Sequence, residues 1–377
     1  MHDVLIAGAG PAGAIAALVL ARANVRVLLL DRARFPRPKL CGDTVNPGAL
    51  GVLRRLGLTH VLDGGLPIAG MVVTGQPLTR VLGLYPAGTA GVALTRRVLD
   101  ARLVEAAASA GADVEEGVLV RGPLLDDAGV VNGLDVLGRH GRVERVRGRI
   151  VIAADGRFSR VARALGLSRA APSPRRWALG GYFEGVSGLS DCGEMHVRAG
   201  RYLGVAPLPG GLANACLVTA DRHAVRDPGA LTAAINGDPM LQARFRDARL
   251  MEAPVLLGPL AIQAPVAGMS GLLLAGDAAG FIDPMTGDGL RFAFRGGELA
   301  AIHALGALGC GWTDAHVKLG AARAVEFGSK WRFNRMLRAL VARPLSVRAA
   351  AVTARIAAPL LQRAICYAGD VTSATRS

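Results

Sequence analysis

Six residues near the start of the chain, Gly8-Ala9-Gly10-Pro11-Ala12-Gly13, restrict its folding more than any other stretch. The apolar run Val4-Leu5-Ile6-Ala7 leads straight into them, as a buried parallel strand would. Ala14 to Ala23 is rich in Ala and Leu and reads as a helix with Asn24 as its stop. Val25 to Leu30 reads as a second buried strand, closed by Asp31. In such a sequence each glycine has its own duty: Gly8 permits the tight turn, Gly10 lets a pyrophosphate approach the backbone, and Gly13 lets helix and strand pack closely. Pro11 and Ala12 lie between them, where the helix N-terminus offers free N–H groups and a positive dipole end to phosphate oxygens. Asp31 stands 18 residues beyond Gly13, where a carboxylate accepts hydrogen bonds from an adenosine ribose, and Arg32 follows it. A glycine-rich turn alone would be structural. The ordered context selects dinucleotide binding, and NAD and FAD both satisfy it.

Two later strand ends carry short acidic turns. Ile150-Val151-Ile152-Ala153-Ala154 reads as a buried strand ending in Asp155-Gly156, and Gly271-Leu272-Leu273-Leu274-Ala275 as one running into Gly276-Asp277. Phe281-Ile282-Asp283-Pro284-Met285-Thr286-Gly287-Asp288-Gly289-Leu290 then opens a long Ala-rich helix. Each pair by itself would be an ordinary turn. In this order the three segments resemble the flavoprotein superfamily of aromatic-ring hydroxylases, flavin halogenases and geranylgeranyl reductases, up to about residue 325. The resemblance implies FAD as cofactor and an α/β architecture. A discontinuous Rossmann-like FAD-binding domain of the glutathione-reductase type would take 1–68, 91–168 and 268–325. A mostly antiparallel β-sheet substrate domain would take 69–90 and 169–267, its strands starting after the hinge Ala171-Pro172-Ser173-Pro174, and a basic helical tail 326–377. The resemblance also implies that Asp277 hydrogen-bonds the ribityl chain, that Asp155 and Gly156 sit near the pyrophosphate, and that Gly276 shapes the turn beside it. Gly287-Asp288-Gly289-Leu290 would bring backbone N–H groups to the flavin ring at a helix start that favours negative charge. No second glycine-plus-acid unit is present, so NAD(P)H as reductant would dock without a Rossmann domain of its own.

Phe35-Pro36-Arg37-Pro38-Lys39-Leu40-Cys41-Gly42-Asp43 resembles the FPR-x-K-x-CG segment of geranylgeranyl reductases, a loop that in those proteins passes beside the isoalloxazine. That places Cys41 and Gly42 at the flavin; a buried, inert thiol is the competing reading of Cys41. Thr95-Arg96-Arg97-Val98-Leu99-Asp100 resembles a helix start whose arginine, here Arg96, reaches the FAD phosphates, with Arg97 as the substitute. Geranylgeranyl reductases also carry Y-x-W-x-F-P. The matching Tyr202-Leu203-Gly204-Val205-Ala206-Pro207 has Gly204 and Ala206 in place of both aromatics, which argues against isoprenoid reduction and leaves room for a bulkier or ring-bearing substrate. The halogenase motif W-x-W-x-I-P is missing. The reading that follows is a flavin monooxygenase-like enzyme hydroxylating an apolar substrate: a lipid, quinone precursor or polyketide. Reduction of isoprenoid double bonds of the geranylgeranyl reductase type and a redox-neutral cyclisation are the alternatives; in all three the flavin carries the chemistry and the protein positions it. None of the seven histidines stands in a catalytic spacing. Cys41, together with Asp43 and Asp288, which flank the expected flavin face, are the catalytic candidates that remain.

Forty-four Lys and Arg against 29 Asp and Glu give a net charge of +15. That excess suits a polyanion or an anionic membrane surface, or is plain Arg-rich composition. With 4% aromatic residues and no zinc or RNA-binding signature, no specific nucleic-acid partner is expected. Lys330 to Gly369 holds eight Lys or Arg and no acid, and Pro344 and Pro359 would divide it into short helices. Those helices either dock on an anionic membrane or pack on the protein's own core. The most apolar run, Val4 to Leu30, is interrupted by glycines, Pro11, Arg22 and Arg26, so neither a membrane span nor a secretory signal is read there. Five scattered cysteines without a CxxC pair indicate neither a metal site nor a disulfide framework. The expected station is cytoplasmic, with the inner face of a membrane as the alternative for the tail.

Overall fold

The computed structural model describes residues 2–75, 79–138, 141–172, 175–341 and 358–371. Strands Leu272–Leu274, Val143–Ala153, His2–Ala7, Val27–Asp31 and Asp113–Glu116 lie side by side and parallel, in that order. Alternate residues point to opposite faces, and both faces are buried. Val4, Ile6, Leu29, Ile152 and Leu273 meet the helices Pro11–Arg22, Arg96–Ser109 and Gly289–Cys310. Leu5, Leu28, Leu30, Val151 and Leu272 face the hairpin Leu119–Leu125 and Val131–Leu137. Ala7 pairs with Leu30 and Ala153, and Ala153 with Leu274, so the carboxyl ends of four strands finish level. The segments beginning at Gly8, Asp31, Ala154 and Ala275 therefore leave the sheet along one edge, where ligands of such sheets bind.

Several boundaries differ from the sequence reading. The first helix starts at Pro11, not Ala14, because proline at the first helical position loses no needed N–H. Val25 lies in the turn after Asn24, whose φ is +59°, and the strand begins at Val27. The strand read from Ile150 begins at Val143. Its first half pairs antiparallel with the Val131–Leu137 strand, and its second half joins the parallel sheet.

The second sheet runs Arg249–Leu250, Trp177–Glu184, Ala213–Thr219, Arg201–Pro207, Cys192–Arg198, Gly70–Gly75, Thr79–Leu84. It is antiparallel except where Cys192–Arg198 meets Gly70–Gly75. Gly91–Ala93 forms a separate three-stranded sheet with Thr44–Val45 and Leu66–Ile68.

The described residues of the tail lie mostly on two helices. Ala315–Val341 is one helix of 27 residues, and Phe327 and Lys330 on it are fully buried. Pro344 lies outside the described residues. Pro359 is the second residue of the helix Ala358–Ala368, where it starts a helix instead of breaking one. Ile365 on that helix is buried, so the described tail packs on the body of the protein.

Candidate functional site

The level strand ends and one face of the second sheet enclose a cavity of about 950 Å³. At the glycine turn, two of the three glycines answer to packing. Gly8 has φ +94°, and a Cβ there would lie 2.6 Å from the Ala154 carbonyl oxygen; a Cβ on Gly13 would lie 1.9 Å from the Gly8 carbonyl oxygen. Gly10 is different: the nearest atom to its missing Cβ is Arg37 Nη2 at 3.7 Å, so its backbone faces open cavity. Asp31 lines the cavity and also holds the turn, accepting from Ala9 N and Ala33 N at 2.8 Å each. Arg32, Pro11, Ala12, Asp155 and Gly156 line the same end. The Asp155 carboxylate accepts from Arg160 N at 2.8 Å, and burial raises its pKa.

Two arginines stand between this turn and the Cys41 loop. Arg96 lines the cavity, yet its guanidinium is gripped by Asp100, Nε to Oδ1 at 2.7 Å and Nη2 to Oδ2 at 2.8 Å. Burial works to lower its pKa, and Asp100 together with Cys41 more than offsets this, so it stays charged. Arg97 is exposed and off the cavity. Arg37, which the sequence reading passed over, shares Asp100 at 3.1 Å, lies beside Gly10, and keeps Nη1 buried without a partner among the described residues. A half-buried cation whose Nη2 lies next to an open glycine backbone fits a diphosphate. The sequence signal for it is the arginine of the FPR segment, Phe35-Pro36-Arg37.

Asp277 lines the opposite bank, 3.6 Å from Arg157 Nε, whose guanidinium sits 5.3 Å from the centre of the Phe281 ring. Gly276 (φ +58°), Gly287, Gly289 and Leu290 line the cavity with it. The two candidate carboxylates are turned away, and neither lines the cavity. Asp288 is buried between Asn46 Nδ2 (3.2 Å) and Lys330 Nζ (3.5 Å). Asp43 has no exposed surface and accepts from Arg96 N (3.0 Å) and Asn214 Nδ2 (2.8 Å). Burial brings it up to about 6 against the pull of Tyr182 and those donors. Asp43 fastens the loop, and Asn214 also donates to the Cys41 carbonyl at 2.9 Å.

Cys41 and Gly42 do line the cavity. Burial raises the Cys41 pKa, while the Arg96 charge beside it pulls the other way. Met71, Val73, Met195 and Val197 form the apolar wall beyond, and Tyr202 is fixed by donating to Asp283 Oδ1 at 2.8 Å, with Arg176 on Oδ2 at 3.1 Å. Gly204 and Ala206 also line it, and a Cβ on Gly204 would meet nothing nearer than 4.0 Å, so the missing aromatics leave real space. Phe333, Leu337, Ala364, Ile365 and Ala368 of the tail complete the wall. No motif in the sequence assigns these five to the site.

Residues 1–220 match the family described as FAD binding domain. Digeranylgeranylglycerophospholipid reductase 2 of Methanopyrus kandleri is 34% identical over 316 residues, covering 79% of this chain and 75% of that protein. The menaquinone reductase of Mycolicibacterium smegmatis is 30% identical over 323 residues, covering 79% of this chain and 75% of its own length. Conditioned medium factor receptor 1 of Dictyostelium discoideum is 29% identical over 333 residues, and the match spans 80% of this chain and only 63% of that protein. Among solved structures, a geranylgeranyl bacteriochlorophyll reductase-like protein of Thermoplasma acidophilum superposes with TM-score 0.80 at 23% identity, over 92% of this chain and 89% of that one. A flavin-dependent brominase superposes with TM-score 0.84 at 19% identity, over 98% and 93%. At such identities these structures speak for the fold.

Proposed function

Since this chain belongs to the FAD-binding-domain family of FAD-dependent oxidoreductases, we propose that it reduces carbon–carbon double bonds in an apolar, isoprenoid-bearing lipid or quinone. Gly8, Gly10, Gly13 and Arg37 would hold the diphosphate of FAD, Asp31 and Asp277 its sugar hydroxyls, and Gly287, Gly289 and Leu290 the ring. Bound FAD supplies the hydride chemistry, with NAD(P)H as the proposed source of electrons.

The observation that carries the reading is the Cys41 thiol. It sits on the cavity wall with its pKa raised by burial, so Sγ holds a proton at neutral pH. Arg96 beside it stabilises the thiolate left when that proton moves to a substrate carbon. Apolar walls keep water from competing, and Asp43 and Asn214 hold the loop that presents the thiol. The hydroxylation reading draws on the space at Gly204 and Ala206; the reductases among the relatives and the proton-bearing thiol weigh for reduction, and that space then suits a ring-bearing lipid such as a quinone.

The test is to reduce the FAD-loaded protein under nitrogen, add isoprenoid quinone or lipid, and weigh the product. Reduction predicts a gain of two hydrogens without oxygen. A gain of one oxygen, formed only in air, overturns the proposal. Cys41→Ala is expected to lower turnover roughly 100-fold while flavin content and flavin reduction stay unchanged.

A further inference from the structure

The helix Ala358–Ala368 lies against the edge strand Thr79–Leu84, and three glycines make the fit. A Cβ on Gly83 would fall 2.3 Å from Ile365 Cδ1, one on Gly369 2.5 Å from Tyr85 Cε1, and one on Gly48 2.3 Å from Asp370 Cβ. No slack remains along this seam. The helix is fastened at its C-terminal end: buried Lys330 donates to the carbonyls of Tyr367 and Ala368 and pairs with Asp370 (3.2 Å) and Asp288 (3.5 Å). Gly48 N also donates to the Gly369 carbonyl at 3.1 Å. Asp288 directly precedes Gly289 on the cavity wall, so the anchor reaches the chamber itself. The surface offered to the cavity is Ala364, Ile365 and Ala368, facing the same space as Phe333, whose ring meets Tyr367 edge-on at 5.0 Å. Among these three helix residues, Ile365 has the largest side chain, and it fills the space over Gly83 at the edge of the chamber.

We infer that this helix is a fixed wall of the substrate chamber and that Ile365 is a specificity-determining residue, setting how large an apolar group fits; the isoprenoid nature of that group rests on the reading above. A single methylene at such a wall changes preference by about tenfold or more. Ile365→Ala should then favour longer chains and Ile365→Phe shorter ones.

The experiment titrates the FAD-loaded protein with geranyl, farnesyl and geranylgeranyl alcohols, reading the perturbation of flavin absorbance. Relative to the parent protein, Ile365→Ala is expected to shift affinity about tenfold toward geranylgeranyl alcohol, and Ile365→Phe about tenfold toward geraniol. Phe333→Ala widens the chamber from the neighbouring helix and should shift it the way Ile365→Ala does, so the inference stays testable if the Phe variant fails to fold. An unchanged ladder of relative affinities in folded, flavin-loaded Ile365→Ala and Phe333→Ala overturns the inference. The same alcohols are weighed after incubation with reduced protein. A shifted ladder without any gain of hydrogen keeps the gauge and removes the reductase reading; hydrogen gain with an unshifted ladder does the reverse.

Discussion

The two ends of the cavity are built by opposite means. The end at Gly8 to Gly13 is made of backbone, supplied by consecutive residues and set at Gly8 and Gly13 by contacts that leave no space for a methyl group. The end at Met71, Met195, Phe333 and Ile365 is made of side chains, brought together from two strands of the second sheet and from the tail. A charged diphosphate demands fixed N–H groups at fixed spacing, whereas an apolar substrate demands only shape and dryness. Cofactor recognition should therefore fail at single atoms, and substrate recognition should shift by degrees.

The largest effect tests the first half of that contrast. Gly13→Ala places its Cβ 1.9 Å from the Gly8 carbonyl oxygen, so the helix must leave the strand. The expected cost is about 3 kcal/mol or more, with flavin lost and melting temperature lowered whether or not FAD is added. Gly10→Ala meets nothing nearer than 3.7 Å, so the FAD-free protein should melt at the parental temperature while FAD affinity falls roughly 100-fold. Melting curves with and without FAD, plus a flavin titration, separate the two. Parental affinity in Gly10→Ala would move the diphosphate away from this turn.

The same contrast explains what the sequence disclosed. A motif of consecutive residues records backbone duty, so the strand, glycine turn, helix and the edge where Gly276 and Asp277 emerge were all legible. Arg37 stands within the FPR segment without a role of its own there, because sequence cannot say that Asp100 occupies one edge of the Arg96 guanidinium. Asp43 and Asp288 flank cavity residues in sequence yet point away, since adjacent side chains leave a backbone in different directions. Phe333 and Ile365 carry no local signal at all; only the packing of the tail brings them to the wall.

An intermediate effect separates two buried carboxylates by pH. Glu194, on the Cys192–Arg198 strand of the second sheet, is opposed by burial but brought down to about 2 by hydrogen bonds from His196 and Arg244 and by the Arg244 charge. Its contribution is present above the ordinary carboxylate value of 4.5 and is lost as pH falls from there toward 2, on the order of 3 kcal/mol. Asp43, raised by burial to about 6, binds its proton more tightly folded than unfolded. Its contribution is present below 3.8 and is lost as pH rises toward about 6, again on the order of 3 kcal/mol. Urea unfolding across pH 3 to 7 should show Glu194→Gln removing stability gained above pH 3, and Asp43→Asn removing the decline between about pH 4 and pH 6. Parallel profiles for parent and both variants would erase this distinction between the regions.

The smallest effect concerns Asp31, which serves the backbone end through a side chain. Both its oxygens accept from amides at 2.8 Å, Ala9 N in the glycine turn and Ala33 N in the following loop. In Asp31→Asn one of those amides must face an NH2 group, so one charge-assisted bond is replaced by two donors in opposition. The expected cost is about 1 kcal/mol without FAD, read as a small drop in the denaturant midpoint. If the carboxylate also accepts from a ribose, FAD affinity falls by about tenfold beyond that cost, because the ligand loses its own acceptor. An affinity loss that matches the stability loss would leave Asp31 as a brace of the turn alone. The backbone end would then recognise its ligand through main-chain groups and Arg37, making the contrast with the substrate wall sharper still.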